Sequence, residues 1–397
     1  MIAVLAAIAL ISILWTNRSI AVTVDGTPTD VRVNSTLEAV YKKSGSTATP
    51  GNHVAVNGDV ITEGGGMPFS ATVNGNQVPD DQLAGYHVSK DDDIQFSDGT
   101  DTTEEYDVTD TKEQDPKLKM EGADGTIFYV KQWGKKGVTE TRQGKESGKT
   151  ATVEAQAPQD AIVERAYPKP DNDQKLVALT FDDGPADLYT KQYLDIMDKY
   201  GVKATFNLIG EQVAEYPEIV KDIASRGHQV ASHTWDHQQL TKLGQKDIQT
   251  ELDKTWDALA DQGIQTSTLR QPYGSINTDV WLYSEGRLSV AAFWSHDSED
   301  WAKPGADAIV ANCTADMQPG SIILMHDGGG ERDQDVEALP QIIEAWQKAG
   351  YKFVTISELM ASDSSIPKEI TSNYAPLPDD CVWPTEVASD SVDNAIP

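Results

Sequence analysis

Cysteine is nearly absent from this chain. Only Cys313 and Cys381 occur in 397 residues. Neither belongs to a C-x-x-C pair, so a zinc knuckle and a thioredoxin-like redox motif are excluded. In an exported protein the two could form one disulfide tying the C-terminal tail to the preceding domain, or remain as unrelated thiols. Basic residues are also scarce. Lys and Arg number 32 against 63 Asp and Glu, a formal charge of −31. So acidic a chain has little with which to neutralise phosphates, which excludes nucleic acid as a partner, and it gains no peripheral hold on anionic lipid. The acidity reads as solubility of a secreted protein, with attraction to cationic sugars as a second reading. No protein partner is evident. No G-x-G-x-x-G follows the first strand of the C-terminal half, which removes a dinucleotide site.

Long apolar runs are rare too. The N-terminal run, Met1 to Trp15, precedes Thr16-Asn17-Arg18 and falls short of the roughly 20 residues of a full span. It lacks the basic n-region and the small-residue cleavage site of a signal peptide. It is apolar on every face, without the stripe of a helix in a soluble domain. It is expected to be an uncleaved signal anchor over residues 1–20, its cytoplasmic flank preceding this start. The remainder would then be extracytoplasmic, anchored to the cell membrane or secreted.

Residues 21–111 are rich in Thr, Val, Gly, Asp and Asn and alternate with a period of two, as in Ala21-Val22-Thr23-Val24-Asp25-Gly26. The recurring Asp-Gly and Asn-Gly pairs (Asp25-Gly26, Asn57-Gly58, Asn74-Gly75, Asp98-Gly99) are hairpin signals. A short helix is expected over Thr36–Lys43, capped by Asn34 or Ser35. The region resembles the small ubiquitin-like or G5-like β modules of exported bacterial proteins. Residues 112–166 read as a further β-rich segment and linker, with Pro116 in the polar stretch Lys112–Lys119.

From Lys175 the pattern becomes alternating strands and helices. Strands are expected at Leu176–Phe181, Ala204–Ile209, Gln229–Ala231, Thr268–Arg270, Val290–Trp294, Ser321–Met325 and Tyr351–Thr355. Helices are expected at Asp187–Tyr200, Pro217–Arg226, Lys246–Gln262, Ala306–Met317 and Asp335–Ala349, several ending at a glycine. Such alternation implies a parallel sheet. Polar residues follow nearly every strand, which suits a barrel whose chemistry collects at the strands' C-terminal ends. The expected domain spans residues 167–365, and residues 366–397 read as a poorly ordered tail.

Those strand ends carry the chemistry. His233 and His237 lie four apart, a spacing that lets both imidazoles face one way on a helical turn. A carboxylate from another strand end would complete a two-His, one-carboxylate cation site. The adjacent carboxylates Asp182 and Asp183 suit a division of labour, one holding the cation and the other taking a proton from water. Arg270 next to Asp182 would keep a base ionised. His326 is suited to protonating a leaving amine, with Asp300 or Asp297 holding it cationic. The backbone N–H of Tyr273, in a tight Pro-Tyr-Gly turn, is a candidate oxyanion donor. Trp301 and Tyr273 offer flat faces for a sugar ring.

Together the segments Thr180-Phe181-Asp182-Asp183-Gly184-Pro185, His233-Thr234-Trp235-Asp236-His237, Arg270-Gln271-Pro272-Tyr273-Gly274, Asp297-Ser298-Glu299-Asp300-Trp301 and Leu324-Met325-His326-Asp327 resemble the motifs of the polysaccharide deacetylases, carbohydrate esterase family 4, the NodB homology domain. The resemblance covers about Ala178–Leu359. It implies a distorted (β/α)7 barrel, here preceded by the β-rich region and the anchor helix. It implies Asp182 as base, Asp183, His233 and His237 as ligands of one divalent cation, and Arg270 orienting the base. It further implies Tyr273 donating to the oxyanion, Asp300 tuning His326 as acid, and Trp301, Leu324 and Pro272 lining the substrate groove. The implied cation is Zn2+, with Co2+ or Ni2+ able to substitute. The implied reaction removes acetyl from an N-acetylated sugar, and the anchor and β-rich stalk point to cell-wall peptidoglycan N-acetylglucosamine. A chitooligosaccharide deacetylase, an acetylxylan esterase and an inactive glycan-binding surface protein are the alternatives.

Overall fold

The structure, a computed structural model, describes residues 18–392 and 394–396. The run expected as an anchor, Met1–Trp15, lies outside the described residues. Among the described residues no helix is long and apolar enough to cross a membrane. The chain divides into two units, Met1–Lys112 with Thr139–Ala155 and Glu113–Val138 with Gln156–Pro397.

In the first unit, Ser19–Val24, Thr27–Arg32, Ser70–Val73, Asn76–Val78 and Asp93–Ser97 form a five-stranded sheet. The hairpin signals hold at Asp25-Gly26 and Asn74-Gly75, where both residues of each pair have positive φ, as a two-residue turn between twisted strands requires. The helix runs over Leu37–Ser44, and its cap is Thr36 rather than Asn34 or Ser35, because the Thr36 hydroxyl accepts from the Ala39 N–H. Val22, Val24, Leu37, Val40, Ala71, Val73 and Ile94 close a small core.

The second unit is built on an 11-stranded sheet. Its strands in chain order are β1 (Leu118–Glu121), β2 (Ile127–Gln132), β3 (Ala161–Ala166), β4 (Leu176–Gly184), β5 (Thr205–Leu208), β6 (Gln229–Ser232), β7 (Thr268–Leu269), β8 (Val290–Ala292), β9 (His296–Asp297), β10 (Ser321–His326) and β11 (Lys352–Val354). The paired order is β1-β3-β2-β8-β7-β6-β5-β4-β10-β9, with β11 joining β4. From β8 to β9 the pairings are parallel, whereas β2 joins β8 and β3 antiparallel. The α/β class expected from the sequence is present, but the sheet is mixed rather than wholly parallel, and the pairing of described residues does not close into the expected barrel. Two of its strands, β7 and β9, are only two residues long, too short for a continuous ladder. β1, β2 and β3 precede residue 167, where the sequence suggested the domain would begin, and the stretch Lys112–Lys119 read as a linker carries the start of β1.

Residue parity on the central strands decides where the chemistry sits. Side chains of a strand alternate between faces. Val177, Leu179 and Phe181 of β4, Phe206 and Leu208 of β5, and Ile323 and Met325 of β10 enter one apolar cluster with Leu194 and Ile342 of the flanking helices. Leu176 and Ala178 of β4 and Ile322 of β10 face a second cluster with Leu269 and Trp281. The next residues of that second parity are Thr180 and Asp182 on β4, Asn207 on β5, and Leu324 and His326 on β10. The register sets Asp182 opposite both Asn207 and His326. Burying Phe181 and its neighbours stabilises by about 1.5–3 kcal/mol per side chain and fixes the face from which Asp182 projects.

The helices Tyr189–Tyr200, Pro217–Ser225, Gln245–Ala260, Ala306–Thr314 and Asp333–Lys348 match those expected, within a few residues at their ends. Gly201, at φ 64°, terminates the first in the left-handed conformation. The short helices Gly210–Glu215, Thr278–Tyr283 and Ile356–Ala361 have no counterpart in the sequence reading; less than two turns gives no readable period. The C-terminal stretch is not a loose tail. Ile366, Ile370 and Ala375 belong to the second cluster, with Trp383 and Ile396 packed against it. The Trp383 indole N–H donates to the Trp281 carbonyl at 3.1 Å. Cys313 and Cys381 are both free thiols, so no disulfide ties this segment; apolar packing does.

Candidate functional site

β4 ends in a bulge between Asp182 and Gly184, with Asp183 in the left-handed region at φ 71°. This turn separates two adjacent carboxylates. Asp182 stays on the sheet face, and Asp183 reaches the histidines. Ligand atoms of Asp183, His233 and His237 lie within 4.8 Å of one another, and Asp183 Oδ1 is 3.4 Å from Nε2 of each histidine. The two histidines do not lie on a helical turn, as their spacing suggested. Residues 233–238 form a loop after β6 in which Thr234 and His237 both have positive φ. The loop is held by the Thr234 hydroxyl, which accepts from the His237 N–H at 3.1 Å.

These residues fit a divalent cation. His233 Nδ1 lies 2.7 Å from the Arg270 carbonyl oxygen, so Nδ1 carries the hydrogen and Nε2 presents its lone pair. Asp183 Oδ1 is buried without a hydrogen-bond donor, which is costly unless a ligand engages it. One carboxylate oxygen and two imidazole nitrogens form the donor set of a catalytic zinc-type site with open positions. Burial disfavours a charged Asp183, yet the imidazole of His233 beside it, with the charges of His326 and His237, holds its carboxyl well below the usual range. Burial likewise opposes a proton on His233, but the charges of Asp182 and of nearby Asp183 pull its pKa upward. His237 moves the other way, lowered by burial and by the charge of His233.

Asp182 is 3% exposed. Its Oδ1 accepts from Asn207 Nδ2 at 2.6 Å and from Arg270 Nη1 at 3.1 Å. Arg270 is itself fully buried and fixed, donating to the Ala292 and Phe293 carbonyls and to the Thr180 hydroxyl. Arg270 thus lies where the sequence reading put it. Asn207 and Thr180 were not read as site residues, because each is ordinary within its apolar run and only the strand register reveals its partner.

Across the same face, His326 Nδ1 is 2.6 Å from Asp300 Oδ1, and the His326 backbone N–H donates to Asp300 Oδ2 at 2.8 Å. Asp300, not Asp297, is therefore the partner of His326; Asp297 accepts from the Glu299 N–H instead. Burial disfavours the imidazolium, but the Asp300 hydrogen bond and the charges of Asp300, Asp182 and Asp183 push His326 up to about 9.

Tyr273 sits in the short turn Pro272–Gly274 at φ 64°. The hydrogen bonds of that turn start from the Gly274 and Ser275 N–H groups, leaving the Tyr273 N–H outside them. Its ring centroid is 4.8 Å from that of His237, and its side chain is exposed. Trp301 is exposed as well, whereas Leu324 and Pro272 are buried, Leu324 two residues before His326 on the same strand face.

Fold and site together define an α/β protein with a His/His/Asp set that fits a divalent cation, flanked by a braced carboxylate and a braced imidazole. A family profile described as polysaccharide deacetylase matches residues 169–286. A peptidoglycan-N-acetylglucosamine deacetylase of Bacillus cereus is 36% identical over 191 residues, 48% of this chain and 90% of the relative. A chitooligosaccharide deacetylase of Sinorhizobium fredii is 35% identical over 199 residues, 47% of this chain and 93% of the relative. The crystal structure of a peptidoglycan N-acetylglucosamine deacetylase in complex with a hydroxamate-type ligand has 35% identity, covers 50% of this chain and 93% of that one, and gives a TM-score of 0.46. The chain belongs to the polysaccharide deacetylase family, the NodB or carbohydrate esterase family 4 hydrolases.

Proposed function

We propose that this protein is a divalent-metal-dependent deacetylase that removes the N-acetyl group from N-acetylglucosamine units of cell-wall peptidoglycan. The observation that carries the reading is the convergence of Asp183, His233 and His237 between Asp182, braced on one oxygen, and His326, paired with Asp300. When bound by these three side chains, the cation (Zn2+, with Co2+ or Ni2+ as substitutes) supplies Lewis-acid polarisation and lowers the pKa of water. Asp182 acts as the base. Asn207 and Arg270 occupy Oδ1, so Oδ2 is the oxygen that takes the proton of the attacking water. The Tyr273 N–H donates to the acetyl oxygen as negative charge develops there. His326, charged because Asp300 faces Nδ1, delivers a proton from Nε2 to the departing sugar nitrogen as the C–N bond breaks. Trp301 presents a ring face to the sugar, and Leu324 borders the acetyl methyl.

The peptidoglycan assignment draws on the similarity to the Bacillus cereus enzyme and on the β-rich unit. With the apolar N-terminus as a membrane anchor, that unit would hold an extracytoplasmic site beside the wall. A chitooligosaccharide substrate is the second reading, favoured by the Sinorhizobium relative; acetylxylan is a third. Retention of base, acid and all three ligand residues weighs against an inactive glycan-binding protein. The test is acetate release from peptidoglycan, chitin oligomers and acetylxylan, with chelator and after Zn2+ is restored. Chelator-sensitive release greatest on peptidoglycan is expected. No release from any substrate by metal-loaded protein refutes the enzyme reading, and preference for chitin oligomers or acetylxylan refutes the substrate.

A further inference from the structure

The acid side of the site contains a second carboxyl group that the mechanism above does not use. Asp335 lies in the first turn of the helix Asp333–Lys348, where an acidic residue ordinarily complements the helix dipole in contact with water. Here it is only 2% exposed. Its Oδ1 has no hydrogen-bond donor, and its backbone N–H is spent on the Arg332 carbonyl at 3.1 Å. The Asp335 carboxyl instead meets that of Asp300, which is 1% exposed. Both oxygens of Asp300 already accept from His326, and Arg332 Nη1 stands 3.8 Å from Asp300 Oδ1. Two buried carboxylates in contact resist being charged together, so near neutral pH only one of them is. The one with cationic partners keeps the charge, and the other keeps a proton.

We propose that Asp335 is a positioning residue, held as the neutral carboxylic acid and donating its proton in a hydrogen bond to Asp300, through which it sets how firmly His326 holds its own proton. The catalytic consequence rests on the reading of His326 as the acid. Burial and the charge of Asp300, with the bond between them, push Asp335 up to about 8 against the pull of Arg332. Asp300 moves the other way, since its bond to His326 and the charges of His326 and Arg332 outweigh burial. The groups facing this pair are His326 on β10, Arg332 before the helix, Tyr193 on the helix Tyr189–Tyr200 and Cys313 on the helix Ala306–Thr314. Burial raises both Tyr193 and Cys313 and keeps them neutral. When Asp335 loses its proton in mild alkali, a donor becomes a second negative charge. The hold on the His326 proton then tightens where the imidazolium would otherwise be lost, which widens the pH range of the acid.

The test is NMR on the metal-free full chain. The His326 ring is followed by nitrogen shifts and the Asp carboxyls by carbon shifts, in wild type and in Asp335→Asn. Asn keeps the shape and an N–H for Asp300 but never ionises. In wild type, His326 is expected to titrate in two coupled steps, and a carboxyl signal absent from the variant should titrate near pH 8. In Asp335→Asn, a single step is expected, with proton affinity lower by about threefold or more. An unchanged His326 titration in the variant, or an Asp335 carboxyl that titrates below about pH 6 like an ordinary Asp, overturns the proposal. Should the variant fail to fold, the wild-type carboxyl signal assigned to Asp335 through its own Cβ decides alone, the assignment separating it from Asp327, which burial pushes up to about 7. None of these signals requires turnover. Failure of acetate release would therefore remove the catalytic role of His326 and leave the shared proton to be judged separately.

Discussion

Replacing Asp300 by Asn tests the acid half of the mechanism most directly. The substitution keeps size and an acceptor for His326 Nδ1 but deletes the charge 2.6 Å away. His326 stands at about 9 against an ordinary 6.5, chiefly through Asp300 once burial is overcome. At pH 7.5 a histidine of pKa about 9 is about 97% imidazolium, whereas one of about 6.5 is about 9% imidazolium. Protonation alone thus lowers kcat on an N-acetyl substrate about tenfold at that pH. The deficit should nearly close at pH 5.5, where both forms are protonated. The assay is kcat against pH with acetate detection, run on the zinc-loaded protein. A cation held by Asp183, His233 and His237 would shift both alkaline limbs downward, so the expected signature is their order, with the limb of the variant at the lower pH. Linkage gives the same sign in stability. Because the folded pKa is raised, the contribution is complete below about pH 6.5 and is lost as pH rises through about 9. A deficit of equal size at every pH would show that Asp300 only holds the loop in place.

Three further outcomes follow from the same geometry. Asp182→Asn should lower turnover by about 10²–10⁴-fold, the usual weight of a general base, while metal analysis still finds one equivalent bound; loss of the metal would mean the two carboxylates have exchanged roles. His326→Ala should retain metal and lose amide hydrolysis far more than hydrolysis of activated esters, whose leaving groups need no proton; equal losses would refute its role as acid. Phe181→Ala, which empties a fully buried site under Asp182, should cost about 3–5 kcal/mol in denaturant unfolding, and a loss below about 1 kcal/mol would contradict the parity assignment on β4.

The motif residues were legible because their chemistry is unusual for their place. Two carboxylates after an apolar run, or a histidine ending Ile322-Ile323-Leu324-Met325, stand out against the bland alternative of core packing. The strands around them were legible for a related reason: a strand buried on both faces reads as a continuous apolar run. The His233–His237 spacing indicated convergence correctly but the wrong local structure. Four residues can bring two rings together on a helix, or in a loop with left-handed residues, and spacing does not distinguish them. The tail was misread for want of periodicity: Ile366 and Ile370 are buried and Trp383 and Ile396 partly buried in the same cluster, each isolated among residues that look like turn and linker.

What stayed hidden shares one property. Asn207 and Asp335 are each unremarkable in sequence, one a polar residue inside a strand and the other an acid at a helix start. Each acquires its role from a residue more than 20 positions away, Asp182 for Asn207 and Asp300 for Asp335. Strand register sets the first pairing and helix docking the second, and neither leaves a local periodic signal. The contrast explains why a reading from sequence finds the groups that would act on substrate before those that hold them. A reacting group must be chemically distinctive, whereas its support need only be polar and well placed. The supports still bear on rate, because a base or acid is useful only in the protonation state its neighbours enforce. Asn207→Ala should therefore impair turnover while leaving the Asp183, His233 and His237 side chains free to bind their cation. If turnover and metal affinity fell together, Asn207 would be supporting the whole rim rather than Asp182 alone.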